Sequence, residues 1–220
     1  MSGNYRSVFD IIGPVMIGPS SSHTAGAVAI GQAANKLFGG IPDEVTVHYY
    51  GSFAQTHKGH GTDYAITAGV MGFETDNPRV PNSQEIAKKM GLEIEFIEEP
   101  GDSPINHPNT AVLDMVGRDK KMRVSGCSIG GGAIEIREIM LRGMEIRPAG
   151  PLPIILYIDS DKNKEKELAL TKEIERVAPF ENRQVLQGKE CNIYEFNIKN
   201  YMRDKTKKSL ASKYDGIICL

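Results

Sequence analysis

Apolar and polar residues alternate from Glu44 to Tyr50, and the β-branched and aromatic character of that run predicts a strand ended by Gly51. Leu92 to Ile97 alternates in the same way. Thr110 to Val116, Met122 to Ile129 and Ile134 to Met140 predict a meander, joined by the charged turn Arg118-Asp119-Lys120-Lys121 and by Gly130-Gly131-Gly132. Helical spacing replaces alternation in three places. Ala25 to Phe38 is a small-residue helix stopped by Gly39-Gly40, and Thr62 to Phe73 carries Ala65, Ile66, Gly69 and Val70 at helical intervals. Asn82 to Met90 is a second short helix, with Ser83 near its cap.

Beyond Gly150 the texture changes to Lys- and Glu-rich segments without histidine. Arg147-Pro148-Ala149-Gly150-Pro151-Leu152-Pro153 can continue neither a helix nor a central strand, so it marks a linker between residues 1–149 and 150–220. The second part reads as strand Ile154 to Ile158, helix Lys164 to Val177, strand Gln184 to Gln187, strand Asn192 to Ile198, helix Arg203 to Lys213 and strand Ile217 to Leu220. This β-α-β-β-α-β order predicts a ferredoxin-like layer of two helices on one face of a four-stranded antiparallel sheet. Its Lys and Glu runs read as solvated helix faces. The predicted fold class is α+β, with a mixed α/β first domain.

Composition narrows the possible functions. The 220 residues are 40% hydrophobic with a formal net charge of -2, which suits a globular chain and gives no field to attract nucleic acid or an anionic membrane. No run approaches the ~20 apolar residues of a membrane span, and the first residues lack a basic segment followed by an apolar stretch, so a cytoplasmic location is expected. Cys127, Cys191 and Cys219 match neither the paired spacing of zinc ligands nor clustered iron–sulfur ligation, and read as free thiols. No metal is expected on this chain alone.

Chemistry concentrates in four segments. Gly18-Pro19-Ser20-Ser21-Ser22-His23-Thr24-Ala25-Gly26 aims hydroxyls and an imidazole at a helix start, where N–H groups without intrahelical partners and the positive end of the dipole favour an anion. Ser20, Ser21 or Ser22 serves as the N-cap. A Ser-capped helix beside a surface histidine is the plainer reading of that segment alone. The run Gly51 to Asp63 leads from strand to helix; its glycines admit a close ligand while His57, Lys58, His60 and Asp63 supply charge and proton transfer. His107-Pro108-Asn109-Thr110 lies at a loop-to-strand junction, and Ser128-Ile129-Gly130-Gly131-Gly132 offers N–H donors for an anion nest or simply a tight turn. His48 falls inside a strand and reads as a packed or surface residue.

Together with Ser7-Val8-Phe9-Asp10-Ile11-Ile12-Gly13-Pro14-Val15-Met16-Ile17, which precedes the first segment, and Gly59-His60-Gly61-Thr62-Asp63, these motifs resemble the beta chain of bacterial iron–sulfur-dependent L-serine dehydratase. The resemblance implies conversion of L-serine to pyruvate and ammonia at a 4Fe-4S cluster whose ligands belong to a separate alpha chain. It also implies an allosteric-substrate-binding-like first domain and an ACT-type regulatory second domain. Where ACT domains place a glycine-containing effector turn, this chain has Asp159-Ser160-Asp161-Lys162-Asn163-Lys164.

Within that resemblance His23 and His60 are the candidate proton carriers or hydrogen-bond donors to the serine carboxylate. Ser20, Ser21, Ser22, Thr24 and Asn109 are candidates to hold the substrate carboxylate, with His107, Gly130 and Gly131 beside them. A homodimer is expected, because a four-stranded sheet leaves edges and a face to cover. The competing class is a stand-alone amino-acid or anion sensor without catalysis; a third is a scaffold with vestigial sites.

Overall fold

The computed structural model describes residues 14–220, so the Ser7 to Gly13 part of the first motif lies outside the described residues. It is an α+β chain with two sheets. Residue contacts divide it into units 1–139 and 140–220.

In the first unit a single π-helical turn, Ser21–Ala25, leads into α1 (Gly26–Phe38), which Gly39 ends in a left-handed cap. The first strand, β1 (Glu44–Tyr50), alternates as its sequence demands, burying Val45, Val47 and Tyr49. Then come α2 (Gly51–Thr56), α3 (Thr62–Val70), α4 (Ser83–Lys89) and β2 (Glu93–Glu98). The meander is β3 (Asn109–Gly117), β4 (Lys120–Gly130) and β5 (Ala133–Leu141); the next strand, β6 (Met144–Ile146), which sequence reading omits, falls past the unit boundary. The sheet order is β2-β1-β3-β4-β5-β6, with β1 and β2 parallel across the helical crossover and β1, β3 and β4 antiparallel.

The helical layer is tight because glycines face each other. An added Cβ on Gly69 of α3 would stand 2.1 Å from the Val28 carbonyl oxygen of α1, and one on Gly31 would stand 2.5 Å from the Ile66 carbonyl oxygen. Backbones approach where side chains are missing. Gly51 to Thr56, which the sequence suggests is open loop, is instead helix α2: the Ser52 N–H donates to the Pro108 carbonyl at 2.7 Å, a tertiary contact that caps its start.

The second unit contains β7 (Ile154–Asp159), α5 (Lys164–Val177), β8 (Phe180–Gln187), β9 (Asn192–Ile198), α6 (Asp204–Lys213) and β10 (Ile217–Cys219). Strand order β10-β7-β9-β8, antiparallel throughout, puts the first strand beside the last. Ile155, Tyr157, Leu170, Ile174, Tyr194, Phe196 and Leu210 form the core of this layer. Three expectations are corrected. The strand before β9 starts at Phe180, four residues early, through a register shift between Phe180 and Asn182. The opposite face is not open: Ile154, Leu156 and Ile193 are fully buried, and the segment before β7 returns over it, with Ala149 N–H donating to Glu195 and the Asn197 amide to the Pro151 carbonyl. Nor are all helix charges solvated, since Glu167 is buried beside Arg183 and Lys164.

Candidate active site

Antiparallel pairing decides where the motifs meet. Tyr50 at the end of β1 is in register with Thr110 at the start of β3, and Thr110 with Cys127 near the end of β4. The segments beyond these residues therefore leave one edge of the sheet together. Gly51 bridges to Asn109, and a Cβ on Gly51, whose φ is +55°, would strike the Pro108 carbonyl oxygen at 2.7 Å. The start of α1 reaches the same edge, because a Cβ on Gly26 would lie 2.3 Å from Ser128 Oγ.

His23 stands at the centre of this cluster. Its Nε2 is 3.2 Å from Ser52 Oγ, its Nδ1 3.5 Å from Ser20 Oγ, and its ring packs edge-on against His60 at 4.7 Å and against Phe53 at 5.2 Å. Burial, and next the neighbouring His60, lower its pKa below the ordinary 6.5. At neutral pH His23 is thus a proton acceptor. His60 is exposed, at the open side of the pair.

Ser20 is the N-cap among the three serines: its Oγ accepts from the His23 N–H at 3.1 Å, and its carbonyl accepts from the N–H groups of Thr24 and Ala25. Those three N–H groups are therefore already used. Ser21 and Ser22 remain half-buried on the first turn. Thr24, by contrast, is 1% exposed, and its hydroxyl donates to the His60 carbonyl at 3.0 Å while accepting from Ser20 N–H. It ties the two motifs together and has little left for a carboxylate.

The Asn109 amide donates to the Ser128 carbonyl at 3.4 Å, and its N–H donates to His107 Nδ1 at 3.1 Å. Burial, then the Arg137 guanidinium, lower the His107 pKa. Gly131 and Gly132 form a two-residue hairpin turn with φ of +62° and +83°, which explains the glycine run without a ligand. Gly130 ends β4 ahead of it. Two hydroxyls at this edge escape residue-by-residue sequence reading. Ser52 is one, in the strand-to-helix corner. Ser128 is the other, buried beside Gly26 with no hydrogen-bond partner for its Oγ among the described residues. Their only sequence signal is adjacency to Gly51 and to the glycine run.

His57 is not at this mouth. It is buried, with Nδ1 2.6 Å from Asp63 Oδ1 and Nε2 2.8 Å from Glu98 Oε1. His48 lies in β1 as expected, 2.6 Å from Glu99 and 3.3 Å from Asp114.

A family model described as the serine dehydratase beta chain matches residues 7–138. The chain belongs to that family. A relative named "Probable L-serine dehydratase, beta chain", from Bacillus subtilis (strain 168), is 52% identical over 158 residues, covering 72% of this chain and 70% of its own length. The "L-serine dehydratase, beta chain" of Peptoniphilus asaccharolyticus is 41% identical over 152 residues, 68% of this chain and 67% of that one. "L-serine dehydratase 1" of Escherichia coli (strain K12) is 45% identical over 73 residues, covering 31% of this chain and 16% of that one.

The residues do not fit a cluster site. Among the described residues no three His, Cys, Asp or Glu side chains gather as metal ligands. Cys127 and Cys191 are buried, and burial pushes both thiols up, away from the thiolate a cluster needs. No helix of the described residues is long and apolar enough to cross a membrane.

Proposed function

We propose that this chain is the beta subunit of an L-serine dehydratase, lending His23 and His60 to a site completed by a cluster-bearing alpha chain. The observation that carries this reading is the His23–His60 pair, 4.7 Å apart, with the hydroxyls of Ser20 and Ser52 at the His23 ring. Making pyruvate from L-serine removes the α-proton and the β-hydroxyl as water; the resulting enamine becomes an imine, which water hydrolyses to pyruvate and ammonia. A neutral imidazole is the side chain best matched to taking that α-proton near neutral pH. His23, with Ser52 orienting its ring, is assigned that step, and His60 the return of protons at the open side. The substrate carboxylate is assigned to the hydroxyl donors of Ser21 and Ser22, with the Ser20 hydroxyl and the Asn109 amide N–H as further donors. A partner at this mouth is supported by exposed apolar residues near it: Val15 is 80% exposed and Ile129 51%, and Gly132 abuts Pro14.

Pyruvate formation tests this reading. L-serine should yield pyruvate with this chain and its alpha partner assembled anaerobically, and none with this chain alone; activity of the alpha chain alone at the full rate would refute it. The pH dependence follows from His23. Because its pKa is lowered, kcat/KM should rise with pH along an acid limb centred below 6.5, and a limb at or above that value would remove His23 as the base.

The second unit is assigned as an ACT-type domain on its β-α-β-β-α-β order and the neighbouring placement of its first and last strands. With its second face buried, the edge strands β8 and β10 offer backbone for pairing. A homodimer through one of them should appear by light scattering well above micromolar concentration; a monomer there would contradict the assignment of an edge interface.

A further inference from the structure

Between α2, α3 and β2 lies a histidine that the reaction does not use and that ordinary packing does not require. The His57 side chain is 4% exposed, its ring lies 5.0 Å from that of Tyr49, and both ring nitrogens meet carboxylates. Lys58 Nζ reaches the same Glu98 oxygen at 2.9 Å. Lys58, and then the His57 N–H, hold the Glu98 carboxyl down at about 2, so that partner is an ionised acceptor. Asp63 and Glu98 meet opposite nitrogens of the ring, so the imidazole is held at both ends. Tyr49, Lys58, Asp63 and Glu98 are the titratable groups facing the ring.

The clamp governs one loop. Asp63 lies in the first turn of α3, Glu98 ends β2, and His57 follows α2, so one ring joins three elements. The loop from His57 to Thr62 is closed by Thr62 N–H donating to the His57 carbonyl at 2.9 Å. Within it, the His60 N–H donates to Thr56, and its carbonyl accepts from Thr24. His60 is itself exposed, so its place over His23 is set by this backbone. We propose that His57 is a positioning residue whose imidazole, held between Asp63 and Glu98, fixes the 57–62 loop and thereby the contact of His60 with His23. The proposal rests on the catalytic reading of that pair for its consequence in turnover, but its geometry stands apart from it.

The test uses the full chain, with histidine rings followed by NMR, and then the assembled complex. In His57→Gln the ring contact between His60 and His23 should be lost, and His23 should titrate higher, toward 6.5, because one cause of its lowered pKa has moved away. In the complex, kcat should fall about 10²-fold with KM little changed, the scale of an ~1 Å misplacement. A folded His57→Gln chain with the His23 titration and ring contact intact overturns the proposal. If His57→Gln does not fold, Glu98→Ala, at a side chain 52% exposed, is judged by the same two signals. Should both NMR results hold while the complex makes no pyruvate, the functional reading fails and the positioning role stands.

Discussion

Replacing His23 by Ala should leave this chain folded and bound to its alpha partner while lowering kcat for L-serine by about 10²–10⁴, the usual cost of a missing general base. Folding should survive because the ring is only half-buried and its hydrogen bonds, to Ser52 at 3.2 Å and Ser20 at 3.5 Å, are side chain to side chain and long. The cap at Ser20 remains, since its Oγ takes the backbone N–H of residue 23 whatever side chain follows. A fall in kcat marks proton transfer; a rise in KM alone would mark carboxylate binding instead. His48 is the control. It pairs with Glu99 and Asp114 on β1, so His48→Ala should be nearly silent in turnover. Steady-state kinetics on the three complexes decide the matter, and equal loss in both variants would mean that the effect is not specific to the mouth.

Gly69→Ala should be the most damaging single methyl in the first unit. The new carbon would sit 2.1 Å from the Val28 carbonyl oxygen and 2.8 Å from Gln32 N, both backbone atoms of α1 that no rotamer change can move aside. α1 and α3 must then separate, giving up contacts of Ala27, Ile30 and Ala34, which are buried, and of Ile66. Overpacking costs about 1–3 kcal/mol and sometimes more, and backbone on both sides puts this position at the upper end. The denaturation midpoint should drop with the slope unchanged. Since the turn that carries His23 leads directly into α1, activity should fall as well. An unchanged midpoint would show that the two helices slide apart without cost.

Strands and helices with a strict period were legible in the chain: β1, α5 and β9 occupy the residues that alternation or helical spacing assigns to them. What was not legible depends on partners far away in sequence. Gly51-Ser52-Phe53-Ala54-Gln55-Thr56 has too few residues and too weak a helical preference to announce α2, which Pro108 caps from another segment. Phe180 to Arg183 lacks apolar alternation because Glu181, Asn182 and Arg183 are all exposed where the register shifts on the edge strand β8. At the mouth, the hydroxyl-rich run disclosed the cap and His23, but the engagement of Thr24 with His60 is a tertiary bond with no local signature. His57 and His60 look alike in sequence. Only folding separates them, because Asp63 and Glu98 arrive at one ring and leave the other open.

The central claim is that this chain supplies His23 and His60 to a site it shares. A competition measurement tests it most directly: a chain carrying both His23→Ala and His60→Ala is added in increasing amounts to an anaerobic mixture of alpha chain and unmodified beta chain, and the rate of pyruvate formation is followed. The account predicts that the double variant displaces the unmodified chain and silences the complexes it enters, so the rate declines toward zero as its share grows. A rate that stays constant while the double variant is demonstrably incorporated would contradict it.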